Sequence, residues 1–99
     1  MITRVPIHSA KEGMLEEAKA FIHATTEQGK ETSGVLGRYS MQSRTDPLKF
    51  VNVTFWKDKK ILDKFLKARM AVALKPDSPW AWIDGDEYDV SIIKPLAIK

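Results

Sequence analysis

The spacing of apolar positions in this chain switches between period two and helical period, and the switches predict the order strand, helix, strand, strand, helix, strand. Met1 to His8 alternates loosely, with Met1, Thr3, Val5 and Ile7 on one side, and reads as a first strand. Pro6 has no N–H to give to a ladder and so points to an edge position or a strand end. Ser9 and Glu12 have capping-box spacing and Gly13 follows, so a helix is expected to begin nearby. Leu15, Ala18, Ile22 and Thr25 then recur at helical spacing, Met14 and Phe21 widen the stripe, and Glu16, Glu17, Lys19 and Glu27 fall on the water side. Gly29 marks the fading end, because glycine takes the left-handed conformation common just past a helix.

Val35 to Ser43 reads as the second strand and Leu48 to Trp56 as the third. Between them lies the turn Thr45-Asp46-Pro47, where proline presets φ and the Asp side chain can bond the backbone ahead. Asp58 opens a second helix, favourably placed for the helix dipole. Its apolar stripe is Ile61, Leu62, Phe65, Leu66, Ala68 and Val72, and Lys75-Pro76 ends it. Asp77 to Glu87 reads as a loop carrying Trp80 and Trp82, and Tyr88 to Ile98 as the last strand. There is no internal linker or repeat, so residues 1–99 are expected to form one domain.

This order is the ferredoxin-like βαββαβ arrangement, an α+β antiparallel sheet with both helices on one face. Alternation along the third strand groups Val51, Val53 and Phe55 on one face and Phe50, Asn52, Thr54 and Trp56 on the other. The helices can cover only one of them. Burying an apolar side chain of this size contributes roughly 1.5–3 kcal/mol, so the face of Val51, Val53 and Phe55 is expected to meet a second copy of the chain. The pattern therefore argues for a homodimer.

Composition narrows the function. The hydrophobic share is 43%, ordinary for a globular chain. No apolar run approaches the roughly 18 residues of a membrane span, and the N-terminus lacks the apolar core of a signal peptide, so a cytoplasmic protein without membrane association is expected. The absence of cysteine excludes disulfides, thiolate metal sites and thiol nucleophiles. The net charge is +3, with Lys57, Lys59, Lys60, Lys64 and Lys67 gathered around one helix. Asp58 and Asp63 interrupt that group and no base-stacking aromatics interleave it, so it reads as a solvated face and not as a nucleic-acid surface.

The segment from Ser33 to Lys60 carries a more specific signal. Gly34-Val35-Leu36, Asp46-Pro47, Phe50-Val51 and Trp56-Lys57-Asp58 follow one another without a gap. In this the chain resembles the antibiotic biosynthesis monooxygenase family, small proteins that form a dimeric α+β barrel. The resemblance covers about a quarter of the chain. It implies a cofactor-independent monooxygenase acting on an aromatic or polycyclic small molecule, whose carbanion reacts with oxygen without metal or flavin. The alternative within the same fold is a non-catalytic dimer that binds a small hydrophobic ligand.

Asn52 is the sharpest candidate for chemistry, because an amide in an apolar strand is costly unless its polar atoms find partners. The resemblance implies that Asn52 stabilises an enolate or peroxy intermediate and that Trp56, four residues on, packs against the substrate rings. Strand parity adds Thr54, the second helix adds Phe65, and Tyr39 on the adjacent strand completes the expected substrate pocket. The relatives that oxidise anthrones also use polar residues on the second helix and beyond. This chain has Leu62 and Pro76 there, which leaves no proton acceptor. The haem degraders of the family use a second-helix His. Here the histidines are His8 and His23, both ahead of the second strand, and read as surface or packing residues, so no haem cofactor is expected. Asp84, Asp86, Glu87 and Asp89 lack the order of a calcium loop, and no metal site is expected from them.

Overall fold

The computed structural model describes residues 1–90. The elements run β1 (Ile2–Ala10), α1 (Leu15–Glu31), β2 (Val35–Gln42), β3 (Lys49–Trp56), α2 (Lys59–Ala73) and β4 (Trp80–Asp89). The sheet order is β2-β3-β1-β4, and every neighbouring pair is antiparallel. Both helices pack on one face of it. This is the ferredoxin-like α+β architecture expected from the pattern.

Local chemistry sets the corners. The Asp46 carboxylate accepts from the Leu48 N–H at 3.2 Å, and Ser43 Oγ accepts from the Asp46 N–H at 3.0 Å, which closes the turn between β2 and β3. Asp58 caps α2, its carboxylate accepting from the Ile61 N–H at 3.0 Å. Gly34 takes φ of 93° at the entry to β2, a conformation an L side chain rarely adopts.

Four boundaries differ from the sequence reading, each for a reason of pairing or packing. Ser9 does not cap a helix. It pairs with Lys49 and Trp82 inside β1, and Met14 begins α1 without a side-chain cap. Gly29 stays within α1, which runs on until the Thr32 hydroxyl donates to the Gln28 carbonyl at 2.8 Å. Pro6 sits in a central strand, not at an edge. It is tolerated because the register with β3 lapses between Arg4↔Thr54 and Ile7↔Val51, where a proline N–H would be missed. The stretch from Trp80 to Asp89 is not a loop but β4 itself, paired along almost the whole of β1. The acidic residues that disguise it lie along a partly solvated strand, where ladder formation outweighs their weak strand propensity. The remainder of the expected strand, residues 91–98, lies outside the described residues.

β3 alternates as its sequence predicts: Phe50, Asn52, Thr54 and Trp56 are buried under the helices, and Val51, Val53 and Phe55 face the other way. The core gathers Ala10, Ala18, Ile22, Phe50, Ala73 and Trp80, with Phe21, Met70 and Ile83 packed against it. Trp80 is its hub, edge-on to Phe21 and Phe50 at ring-centroid distances of 5.5 and 5.8 Å. Trp82 points to the opposite face and is exposed.

Gly85 pairs with Pro6, and a Cβ there would lie 3.0 Å from Pro6 Cα and 3.0 Å from Arg4 Nη2. The obstacle is backbone and cannot swing aside. Gly85→Ala is expected to destabilise the chain by about 1–3 kcal/mol, the usual range for overpacking, as read from the urea midpoint. An unchanged midpoint would show that β1 and β4 part freely at this position.

Candidate active site

A cavity of about 60 Å³ lies between the helical face of the sheet and the two helices. At roughly 10–15 Å³ per water-sized sphere this is room for about four to six waters. Trp56 and Phe65 form one wall, their rings 4.9 Å apart and tilted by 57°. Leu62 adds to that wall and is almost fully buried. Thr54 and His8 line the sheet side.

The even-numbered residues of β1 face the helices. Arg4, Pro6 and His8 therefore reach the cavity, while Val5 and Ile7 belong to the other sheet face. His8 is buried against the Trp80 ring at 4.7 Å. It sits diagonally across the β1–β3 ladder from Asn52, on the same face, and their side chains meet: Asn52 Nδ2 lies 3.1 Å from His8 Nδ1. Asn52 is fully buried, and its Oδ1 has no partner among the described residues. Rotating the amide by half a turn exchanges the two roles. In one orientation Asn52 donates to Nδ1 and His8 carries its proton on Nε2. In the other Asn52 Oδ1 accepts from Nδ1–H and Nε2 is a free base. Either way Nδ1 is occupied and Nε2 is the nitrogen left for a ligand.

The imidazole is held neutral. Burial lowers its pKa from 6.5 to about 4, with the positive charges of Arg38 and then Arg4 adding to the effect. Arg38 reaches in from β2, its Nη1 donating to Thr54 Oγ1 at 2.8 Å and its Nε to Thr26 Oγ1 at 3.2 Å. Arg69 comes from α2 and lies 4.6 Å above the Phe21 ring, donating to Thr25 and Gln28. Burial and the neighbouring Arg69 lower the Arg38 pKa to about 10, still far above neutrality.

The structure brings together part of the expected site. Thr54, Trp56 and Phe65 line the cavity, and Asn52 lies behind His8 instead of on the wall. Tyr39 is on the far side of the sheet, opposite Val53 and 66% exposed, and does not reach the cavity. Sequence reading missed His8, Arg4, Arg38 and Arg69. The reading of His8 as a surface or packing residue is corrected by its burial and its bond to Asn52. The side of β1 opposite Thr3, Val5 and Ile7, which carries Arg4, Pro6 and His8, is the one that faces the cavity. Among the described residues no group of three His, Asp or Glu side chains is placed to hold a metal, and no helix is long and apolar enough to cross a membrane.

No family model matches the chain, and no curated protein matches it. Solved structures share its fold. SnoaB, a cofactor-independent oxygenase from Streptomyces nogalater, superposes with a TM-score of 0.75 at 16% identity, over 96% of this chain and 97% of that one. A proposed antibiotic biosynthesis monooxygenase from Deinococcus radiodurans gives 0.82 at 10% identity, over 98% and 99%. PA3566 from Pseudomonas aeruginosa gives 0.78 at 17% identity, over 91% and 94%. The fold is thus the one the Ser33–Lys60 resemblance implied.

Because the folded His8 binds its proton less tightly than the unfolded one, the unfolded chain takes up the extra proton between pH 6.5 and 4. Stability must fall as the pH drops through that window, by up to about 3 kcal/mol from this residue. Urea midpoints measured from pH 7 to 4 should therefore decline more steeply for the native chain than for His8→Gln. Parallel curves would mean that His8 titrates normally.

Proposed function

We propose that this chain is a cofactor-independent monooxygenase acting on a phenolic or enolisable aromatic molecule, with His8 as the proton acceptor. The observation that supports it is the Asn52–His8 hydrogen bond at the wall of a cavity that also carries aromatic rings and arginines. One substrate ring lies against Trp56 and Phe65. His8 Nε2 takes a proton from the carbon to be oxidised, and the rotated Asn52 amide accepts from Nδ1–H of the imidazolium that forms. An imidazole held near 4 is a weak base. The cationic wall compensates by favouring the enolate, since guanidinium charge facing the developing oxyanion lowers the substrate's own pKa.

The substrate supplies the electrons. Its carbanion passes one electron to dioxygen, and the radical pair joins through a C–O bond. The peroxide takes the proton back from His8 and loses water with the remaining C–H hydrogen. A methylene and dioxygen thus become a carbonyl and water. Neutral His8 and Asn52 take the place of the polar second-helix residues that Leu62 and Pro76 do not provide.

The open sheet face belongs to the same reading. Val51, Val53 and Phe55 continue into exposed Tyr39, Met41 and Tyr88, and nothing among the described residues covers them. A second copy packed sheet to sheet gives them a partner, in keeping with a cytoplasmic dimeric barrel. Sedimentation at micromolar concentration is expected to give twice the chain mass. A monomer under those conditions would contradict the barrel.

Oxygen uptake with a model anthrone, without metal or flavin, tests the chemistry. Asn52→Ala is expected to lower kcat by about a hundredfold and His8→Gln by roughly 10²–10⁴, with KM much less affected. Full activity in either variant would remove that residue from the mechanism. No uptake with any anthrone or phenol would favour a non-catalytic dimer that binds a small hydrophobic ligand.

A further inference from the structure

The cavity carries more positive charge than proton transfer needs. Arg4, Arg38 and Arg69 reach its wall from β1, β2 and α2, and no Asp or Glu lines it. Arg4 is matched by Glu87 at 3.3 Å. Arg38 and Arg69 bond only to neutral oxygens, those of Thr26, Thr54, Thr25 and Gln28. Neither forms an ion pair among the described residues, and residues 91–99 contain no Asp or Glu. The Nε of Arg69 is buried without a partner among the described residues. Partly buried charges of like sign are costly, and folded chains normally supply a counter-charge. Among the described residues none is supplied to this pair, while the space in front of it is a cavity with aromatic walls.

We propose that the cavity selects an anionic aromatic ligand, a small ring bearing a carboxylate, with the carboxylate held by Arg38 and Arg69 and the ring against Trp56 and Phe65. The inference rests on reading the cavity as the substrate site and adds the substrate's chemical class. Guanidinium groups fit a planar carboxylate through paired N–H donors. Most of the remaining wall is apolar, with the Trp56 and Phe65 rings on it. The ligand also acts on the base. His8 feels Arg4 on its own strand and Arg38 from β2, with Arg69 of α2 lining the same cavity; Glu87 opposes Arg4, and no carboxylate among the described residues pairs with Arg38 or Arg69. A seated anion offsets that field, so the imidazole becomes a stronger proton acceptor only when substrate is present.

Calorimetric titration with 2-hydroxybenzoate and with its uncharged methyl ester tests this on the intact protein. The acid is expected to bind about tenfold more tightly or better, the least that one charge-assisted pair provides. Arg38→Gln and Arg69→Gln should each remove most of that preference by weakening the acid more than the ester, whereas Lys64→Gln, outside the cavity, should leave both. Raising the salt concentration should narrow the gap between acid and ester in the native chain, so the test stands even if one arginine variant does not fold. Equal affinities for acid and ester, or binding of neither, would overturn the proposal. A preference for the acid without oxygen uptake on any substrate would overturn the oxygenase reading and leave this one standing. Oxygen uptake on neutral phenols without a preference for acids would do the reverse.

Discussion

A fully buried amide beside a neutral imidazole is the constraint around which the cavity is arranged. Asn52 occupies the middle of an apolar strand, where its polar atoms can be satisfied only by what the neighbouring strand brings within reach. The β1–β3 register brings His8. That bond fixes the ring, occupies Nδ1 and leaves Nε2 for a ligand. Pro6 and Gly85 pair where β4 closes against β1 next to the site. Pro6, in a central strand, also lines the cavity.

Charge gives the cavity its second property. Three arginines converge on a space walled by Trp56, Phe65 and Leu62, and the fold provides a carboxylate for Arg4 alone. Burial first, and then the field of Arg38 and Arg4, keeps His8 unprotonated; in the proposed mechanism the same field would favour an enolate in front of it. In the proposed mechanism, base strength and oxyanion stabilisation would trade against each other through one set of guanidiniums, a weak base being paired with an environment that makes the substrate more acidic.

Much of the architecture was legible because alternation and helical spacing are properties of the chain itself. The parity of Phe50, Asn52, Thr54 and Trp56 held to the residue, as did the Asp46 turn and the Asp58 cap. β4 was hidden because its inward residues are few and its outward ones acidic, so only its pairing with β1 reveals it. The site was half legible. Asn52, Thr54, Trp56 and Phe65 announced themselves through strand parity and the family resemblance. His8, Arg38 and Arg69 did not. Each reads as an ordinary surface residue until the sheet order sets β1 and β2 on either side of β3 and α2 closes over them. Tyr39 shows the opposite failure: it is close in sequence to the site strand and on the wrong face of the sheet.

The state of the His8 imidazole carries the whole reading and can be measured directly, by following its ring resonances through a pH titration in the free protein and again with 2-hydroxybenzoate bound. The structure predicts a pKa of about 4 in the free protein, rising when the anion is seated. A value near 6.5 that the ligand does not move would contradict it, since His8 would then be neither buried beside Asn52 nor within the field of the arginines.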